Sequence, residues 1–171
     1  YGAGPMGIAL AKFCRLLGAN RITQIDGNEK RLQMAIQIAG VDQIVNFTTQ
    51  NVDEMLKNCR YDVVIDAVGK TQIIYEASQR LKPGGRVGSL GVLKDNDQWV
   101  DTSKLQDHTM LHMLNYPYGE YAIMDQTIAL IQEGKINPKD FITHVVSMEQ
   151  IHTAMELVKN QEALKVVLLI D

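Results

Sequence analysis

The chain has 171 residues, 46% of them apolar, with 17 Lys and Arg against 20 Asp and Glu for a net charge of −3. This length supports one sizeable core plus an appendage, and the apolar share is ordinary for a folded protein, which excludes a disordered or fibrous chain. The mild negative charge and the lack of dense basic runs argue against nucleic acid or an anionic membrane as partner; no apolar stretch is long enough to span a bilayer, and no signal peptide is visible.

The chain opens with Tyr1-Gly2-Ala3-Gly4-Pro5-Met6-Gly7, a G-x-G-x-x-G run. Behind it, Ile8 to Leu17 carries one apolar stripe of Leu10, Cys14 and Leu17 and another of Ala9, Phe13 and Leu16. This pattern predicts a helix buried on two sides and ended at Gly18. Arg21 to Asp26 reads as a strand. Leu32, Ala35, Ile36 and Ala39 then recur at helical spacing between an Asn28 cap and a Gly40 stop. Ile44 to Phe47 is the next strand, Asn51 with Glu54 marks a helix start, and Tyr61 to Val68 is again a strand. Thr71 to Leu81 is helical, Lys82-Pro83-Gly84-Gly85 is a turn, and Arg86 to Val92 is a strand. Trp99 to Lys104 is a connection, Thr109 to Leu114 a strand, and Glu120 to Gln132 a helix ended by Gly134. Phe141 to Val146 reads as a strand. Ser147 and Gln150 then form a capping box before a helix with Ile151, Ala154, Met155 and Val158 on one face, and Lys165 to Ile170 closes the chain as a strand.

Strands alternating with helices of this length call for right-handed crossovers and a doubly wound parallel α/β sheet of the Rossmann type. Such a unit needs a strand leading into the glycine run, yet only Tyr1 stands there, so the first strand is expected to be truncated. Residues 1–136 are read as a nucleotide-binding domain and residues 137–171 as a strand-helix-strand tail belonging to a second domain.

In this setting the glycines acquire chemical roles: Gly2 for the tight turn, Gly4 for close approach of a pyrophosphate, and Gly7 for helix-sheet packing. The helix N-terminus offers N–H groups to an anion, with Met6 a better donor than Pro5, which has none. Asp26, at the end of the second strand, is placed to accept hydrogen bonds from ribose hydroxyls and to repel a 2′-phosphate, which points to NAD rather than NADP. The competing reading of Asp26 is an Asp that merely ends a strand. Arg31 either flanks the adenine or is solvated. Ala67-Val68-Gly69, Leu90-Gly91-Val92 and the strand end near Leu114 fall at carboxyl ends of strands, where ligands bind in such sheets. His108 and His112 have helical i, i+4 spacing, but their segment reads as strand and lacks a third ligand, so metal ligation is not expected there. Cys14 reads as a small core residue and Cys59 has no activating partner. The two cysteines lack C-x-x-C spacing, which points to a reducing, cytoplasmic setting.

Taken in order, Gly2 to Gly7, Asp26 with Arg31, Asp62 to Gly69, Leu81 to Val87, Phe141-Ile142-Thr143-His144 and Lys165 to Leu168 resemble the zinc-type medium-chain dehydrogenases, most closely the sorbitol, threonine and polyol dehydrogenase branch. The resemblance covers essentially the whole chain. It implies the NAD-binding C-terminal half of an enzyme that oxidises a secondary alcohol or polyol by hydride transfer to NAD, assisted by zinc as Lewis acid. In that family the zinc ligands lie in an N-terminal domain absent from this chain, so no residue here takes a catalytic or metal-ligating role, and these residues alone are expected to be inactive. His144 becomes a positional residue of the tail. The resemblance also implies a homodimer or homotetramer, paired at the edge formed by Met110 to Leu114. The alternatives are an S-adenosylmethionine-dependent methyltransferase, which shares the Leu-Lys-Pro-Gly-Gly turn, and a non-catalytic NAD-sensing module.

Overall fold

A computed structural model describes residues 1–94, 97, 99–114 and 119–170. The first helix, α1 (Pro5–Leu16), follows the glycine run directly, with Pro5 at its first position, where a missing N–H costs nothing. Strand β1 (Thr23–Asp26) leads to α2 (Glu29–Ala39), which begins at an Asn28 side-chain cap and ends where Gly40 turns left-handed at φ 63°. Then come β2 (Gln43–Asn46), the single turn α3 (Val52–Met55), β3 (Tyr61–Asp66), α4 (Thr71–Gln79), β4 (Leu81–Ser89) and β5 (Met110–Met113). The chain finishes with α5 (Met124–Gln132), β6 (His144–Ser147), α6 (Ile151–Lys159) and β7 (Val166–Leu169). Every strand pair is parallel, in the order β1-β2, β3-β4-β5 and β6-β7. This is the expected doubly wound α/β pattern.

The β1-β2 and β3-β4-β5 pieces are bridged by the first two residues. Gly2 N–H donates to the Ile25 carbonyl at 2.8 Å on one side. On the other side the Tyr1 amino group donates to the Ile65 carbonyl at 2.7 Å, and Ala67 N–H donates to the Tyr1 carbonyl at 3.0 Å. Tyr1 and Gly2 occupy a strand position between β1 and β3, but two residues are too few to form a ladder of their own.

The core forms in patches around this frame. Ile8 and Ala11 of α1 meet Leu32, Ala35 and Ala39 of α2, together with Leu164 from the tail. Val64, Ile74, Ala77, Leu81 and Val87 fill the space between β3, β4 and α4. Ile25, Val45 and Leu56 form the third patch.

Several local expectations are corrected. Helix α1 is buried along one side only: Gly7, Ile8 and Ala11 are covered, Leu10, Phe13, Cys14 and Leu16 are half-buried, and Leu17 is exposed. The covered side is the one α2 packs on. The expected turn at Lys82 to Gly85 is a bulge within β4, where the register steps from Tyr61 opposite Leu81 to Val63 opposite Arg86 and Gly84 takes φ +76°. Phe141 ends a 3-10 turn begun by Pro138 and capped by Asn137, so β6 starts only at His144. Residues 120–123 are likewise a 3-10 turn before α5. On α6 only Ala154 is buried while Met155 and Val158 stay exposed, because the narrow β6-β7 pair covers little of that face. Among the described residues no helix is long and apolar enough to cross a membrane.

Candidate functional site

The glycine run folds back on itself. Gly2 has φ +93°, a conformation side chains rarely tolerate. A Cβ on Gly7 would lie 1.9 Å from the Gly2 carbonyl oxygen, and that oxygen also accepts a buried hydrogen bond from Gln24 Nε2 at 2.5 Å. Gly7 is needed less for the general approach of helix to sheet than for contact with the turn itself. Gly4 is the opposite case: nothing lies within 4 Å of where its Cβ would stand, and it starts α1 with no side-chain cap. The open side of the turn and the start of the helix thus face the same way, toward space an anion can enter.

Asp26 joins this turn to the next. Its Oδ2 accepts the Ala3 N–H at 2.6 Å and its Oδ1 accepts the Asn28 N–H at 2.8 Å. The carboxylate therefore ends the strand and shapes both loops, while each oxygen keeps a free lone pair. Asn28 caps α2 by accepting the Arg31 N–H at 3.2 Å, and its Nδ2 donates to the Gln161 carbonyl at 3.3 Å. Arg31 Nη2 donates to the Ala163 carbonyl at 3.3 Å, whereas its buried Nε has no partner among the described residues.

A second carboxylate organises the next two strand ends. Asp66 is fully buried; its Oδ1 accepts from Val68 N–H at 2.8 Å and Gly69 N–H at 3.0 Å, and its Oδ2 from Ser89 Oγ at 3.1 Å. Its main-chain carbonyl accepts from Leu90 and Gly91 N–H at 2.8 and 3.1 Å. The two loops touch: a Cβ on Gly91 would lie 1.9 Å from Gly69 N, and one on Gly69 2.4 Å from the Val92 carbonyl oxygen. Both positions require glycine for this approach alone.

A cavity of about 680 Å³ opens along these strand ends. Of the residues anticipated from sequence, Gly2, Gly4, Asp26, Arg31, Ala67 and Val68 line it, whereas Pro5, Met6, Gly7, Gly69, Leu90, Gly91 and Val92 do not. Gly7, Gly69 and Gly91 shape the adjoining loops, and the Met6 and Val92 side chains are exposed. The lining also includes Phe47 and residues 160–162, and Asp66 stands behind the Ala67 and Val68 wall. None of these is among the site residues that the sequence motifs predict. Asp66 was legible, since it ends its strand three residues before a glycine much as Asp26 immediately precedes Gly27. The contribution of residues 160–162 left no local signal, because it comes from contacts across more than a hundred residues.

His108, exposed at φ 62°, and His112, on β5, share no helical face. His144 opens β6 with Nδ1 3.0 Å from Thr143 Oγ1. Cys14 and Cys59 are free, and burial pushes the Cys14 thiol pKa up, away from reactivity. Among the described residues no group of three His, Cys, Asp or Glu side chains converges to hold a metal ion.

The family model for zinc-binding dehydrogenases matches residues 5–133. An alcohol dehydrogenase from Cupriavidus necator is 34% identical over 168 residues, covering 94% of this chain and 45% of that protein. L-threonine 3-dehydrogenase from Shewanella pealeana is 26% identical, over 98% of this chain and 49% of its own length. Among solved structures, the alcohol dehydrogenase TADH from Thermus sp. ATN1 superposes with a TM-score of 0.85 at 27% identity, covering 99% of this chain and 51% of that one. The chain spans about half the length of the relatives it matches. With the family match running from the first turn of α1 to just past α5, the chain belongs to the zinc-binding dehydrogenase family.

Proposed function

We propose that these residues are the NAD(H)-binding half of a cytoplasmic oxidoreductase that oxidises a secondary alcohol or polyol by hydride transfer to NAD. Residues 1–136 serve as the nucleotide domain and residues 137–171 as part of the catalytic domain. The observation that carries this reading is the Asp26 carboxylate, held by Ala3 and Asn28 N–H groups on the rim of a cavity that also contains the open Gly4 turn. A dinucleotide fits these residues. The glycine cradle leaves room for a pyrophosphate, the N-terminus of α1 faces it with N–H groups, Asp26 has lone pairs for the ribose hydroxyls and a charge that repels a 2′-phosphate, and Arg31 Nε, beside the cavity, lacks a partner among the described residues. NAD, when bound, supplies the hydride acceptor at its nicotinamide ring. The chain's own contribution is to bind the cofactor and orient it, through the Ala67-Val68 wall of the cavity, which Asp66 ties to the Leu90-Gly91-Val92 loop packed against it.

The described residues do not fit a zinc site, and no step through zinc is assigned to them. The names of the relatives, an alcohol dehydrogenase and a threonine dehydrogenase, support an alcohol substrate. Strand β5 pairs with β4 on one side only among the described residues and exposes Met110 and Met113, which supports edge pairing into a homodimer or homotetramer. Calorimetry with NADH, NADPH and S-adenosylmethionine tests the reading. NADH should bind best, with no alcohol-dependent NADH formation by these residues alone. Binding of S-adenosylmethionine in preference to NADH overturns the cofactor assignment, and turnover without further residues overturns the division of labour.

A further inference from the structure

Phe47 is out of place for a core residue. It follows the wholly buried Val45 and buried Asn46 of β2, yet it is 59% exposed and lines the cavity. Its main chain is firmly held: Phe47 N–H donates to the Asp26 carbonyl at 3.2 Å. The next turn is fixed by Asn46, whose Oδ1 accepts from Thr48 N–H and Oγ1 at 3.0 and 2.7 Å and whose Nδ2 donates to Glu29 Oε2 at 2.9 Å. The ring in turn leans on Gly27, where an added Cβ would lie 2.7 Å from Phe47 Cζ. Gly27 needs no left-handed conformation, so the room it leaves for this ring is the reason for glycine that the geometry supplies.

Across the strand ends the order is Ala67-Val68, then the Gly2 to Gly4 turn, then Asp26, then Phe47 on the far side of Asp26. A nucleotide with its phosphates at Gly4 and its ribose at Asp26 has its base directed to the outermost position. We infer that Phe47 is the stacking platform for the purine base of the cofactor, and that Gly27 is glycine so that the Phe47 ring can occupy that wall. The inference rests on the nucleotide reading above and adds to it a specificity-determining side chain. An aromatic face held on a rigid turn suits this task, because stacking demands a planar partner and is strengthened when little side-chain freedom is lost on binding.

The test is a calorimetric double-mutant cycle on the full chain, with ADP-ribose as the probe. F47A should weaken ADP-ribose binding about tenfold, within the range by which aromatic stacking on a base contributes, while F47W should retain it. G27A should weaken binding by pushing the ring aside, and should add little in the F47A background, because the two residues act through one contact. Phe47 is exposed, so its truncation leaves the core intact. Absence of ADP-ribose binding by the unmodified chain overturns the nucleotide reading and this inference together. Binding by the unmodified chain with F47A unchanged within about twofold, a difference too small for a lost base stack, overturns this inference alone.

Discussion

Replacing Gly7 by Ala is expected to destabilise the protein by about 3 kcal/mol, the balance of overpacking and hydrogen-bond loss against a gain in helix propensity. The added Cβ would stand 1.9 Å from the Gly2 carbonyl oxygen, whereas real Cβ atoms essentially never come under 3.0 Å, so α1 and the turn must separate by about 1.1 Å, the difference between those distances. Forcing apart a well-packed site costs about 1–3 kcal/mol. The same movement pulls the Gly2 carbonyl from Gln24 Nε2, and a buried hydrogen bond broken in this way costs about 1–3 kcal/mol more. Alanine returns about 1 kcal/mol through its better helix propensity, which leaves a net loss of roughly 1–5 kcal/mol. Urea unfolding followed by far-ultraviolet circular dichroism measures it. With a slope of about 2 kcal/mol per molar urea, the midpoint should fall by about 1.5 M. Gly4→Ala is the control. Nothing lies within 4 Å of its Cβ position and its φ of −72° suits any residue, so stability should hold within about 0.5 kcal/mol while NADH binding weakens. A Gly7→Ala midpoint equal to that of the unmodified chain refutes the reasoning, because it means the turn opens without cost.

Asp26→Asn keeps the shape of the carboxylate but removes its charge, so the preference for NADH over NADPH should narrow by about tenfold, a change of about 1.4 kcal/mol; calorimetry with both cofactors reads it, and an unchanged ratio assigns discrimination to another group. Asp66→Ala leaves the Val68 and Gly69 N–H groups and the Ser89 hydroxyl without their acceptor. The loss should be about 2–4 kcal/mol, seen as a melting temperature lowered by roughly 4–16 °C, and an unchanged melting curve would show that the loops hold without it. The Asp42 carboxyl is held below the ordinary carboxylate pKa first by the Ile22 N–H and then by Arg15. Its contribution is fully present above the unfolded-state pKa and is lost as pH falls through the lower folded value. Stability curves of the unmodified chain and Asp42→Asn should therefore differ at neutral pH and converge in acid; parallel curves throughout would remove Asp42 from the acid limb.

How much of this was legible in the sequence depended on the range of the interaction. Helix α2 was read from Asn28 to Gly40 because both ends are local chemistry, a side-chain cap and a left-handed glycine. The alternation of strands and helices gave the parallel α/β architecture for the same reason. Strands end earlier than their apolar runs wherever the run outlasts the ladder. Strand β3 stops at Asp66, two residues before the end of the apolar stretch, because the Asp66 carboxylate pulls Val68 and Gly69 into a turn. The glycines at 69 and 91 are legible as strand-end glycines, whereas the contact between their two loops, more than twenty residues apart in sequence, leaves no local pattern. Burial was the least legible property. The apolar stripes of α1 and α6 exceed the surface that their neighbours cover, and periodicity alone records the stripe without the neighbour.

The tail illustrates why the site cannot be apportioned by sequence segments alone. Thr143 N–H and Oγ1 donate to the Lys165 carbonyl at 3.0 and 3.1 Å, and Leu164 N–H donates back to Thr143 Oγ1 at 3.0 Å, so both strands of the tail meet at one knot. From that knot Leu164 enters the core shared by α1 and α2, the Ala163 carbonyl takes Arg31, and the Gln161 carbonyl takes Asn28. Gln161 is held at φ 61°, a conformation that costs a non-glycine residue energy and persists only where surrounding contacts fix it. Asn28 is also the cap of α2 and a donor to Asp26, so one side chain and its backbone link the tail, the helix start and the carboxylate on the cavity rim. Residues 161–164 and Asp26, more than 130 positions apart, are thus joined through two hydrogen bonds on Asn28.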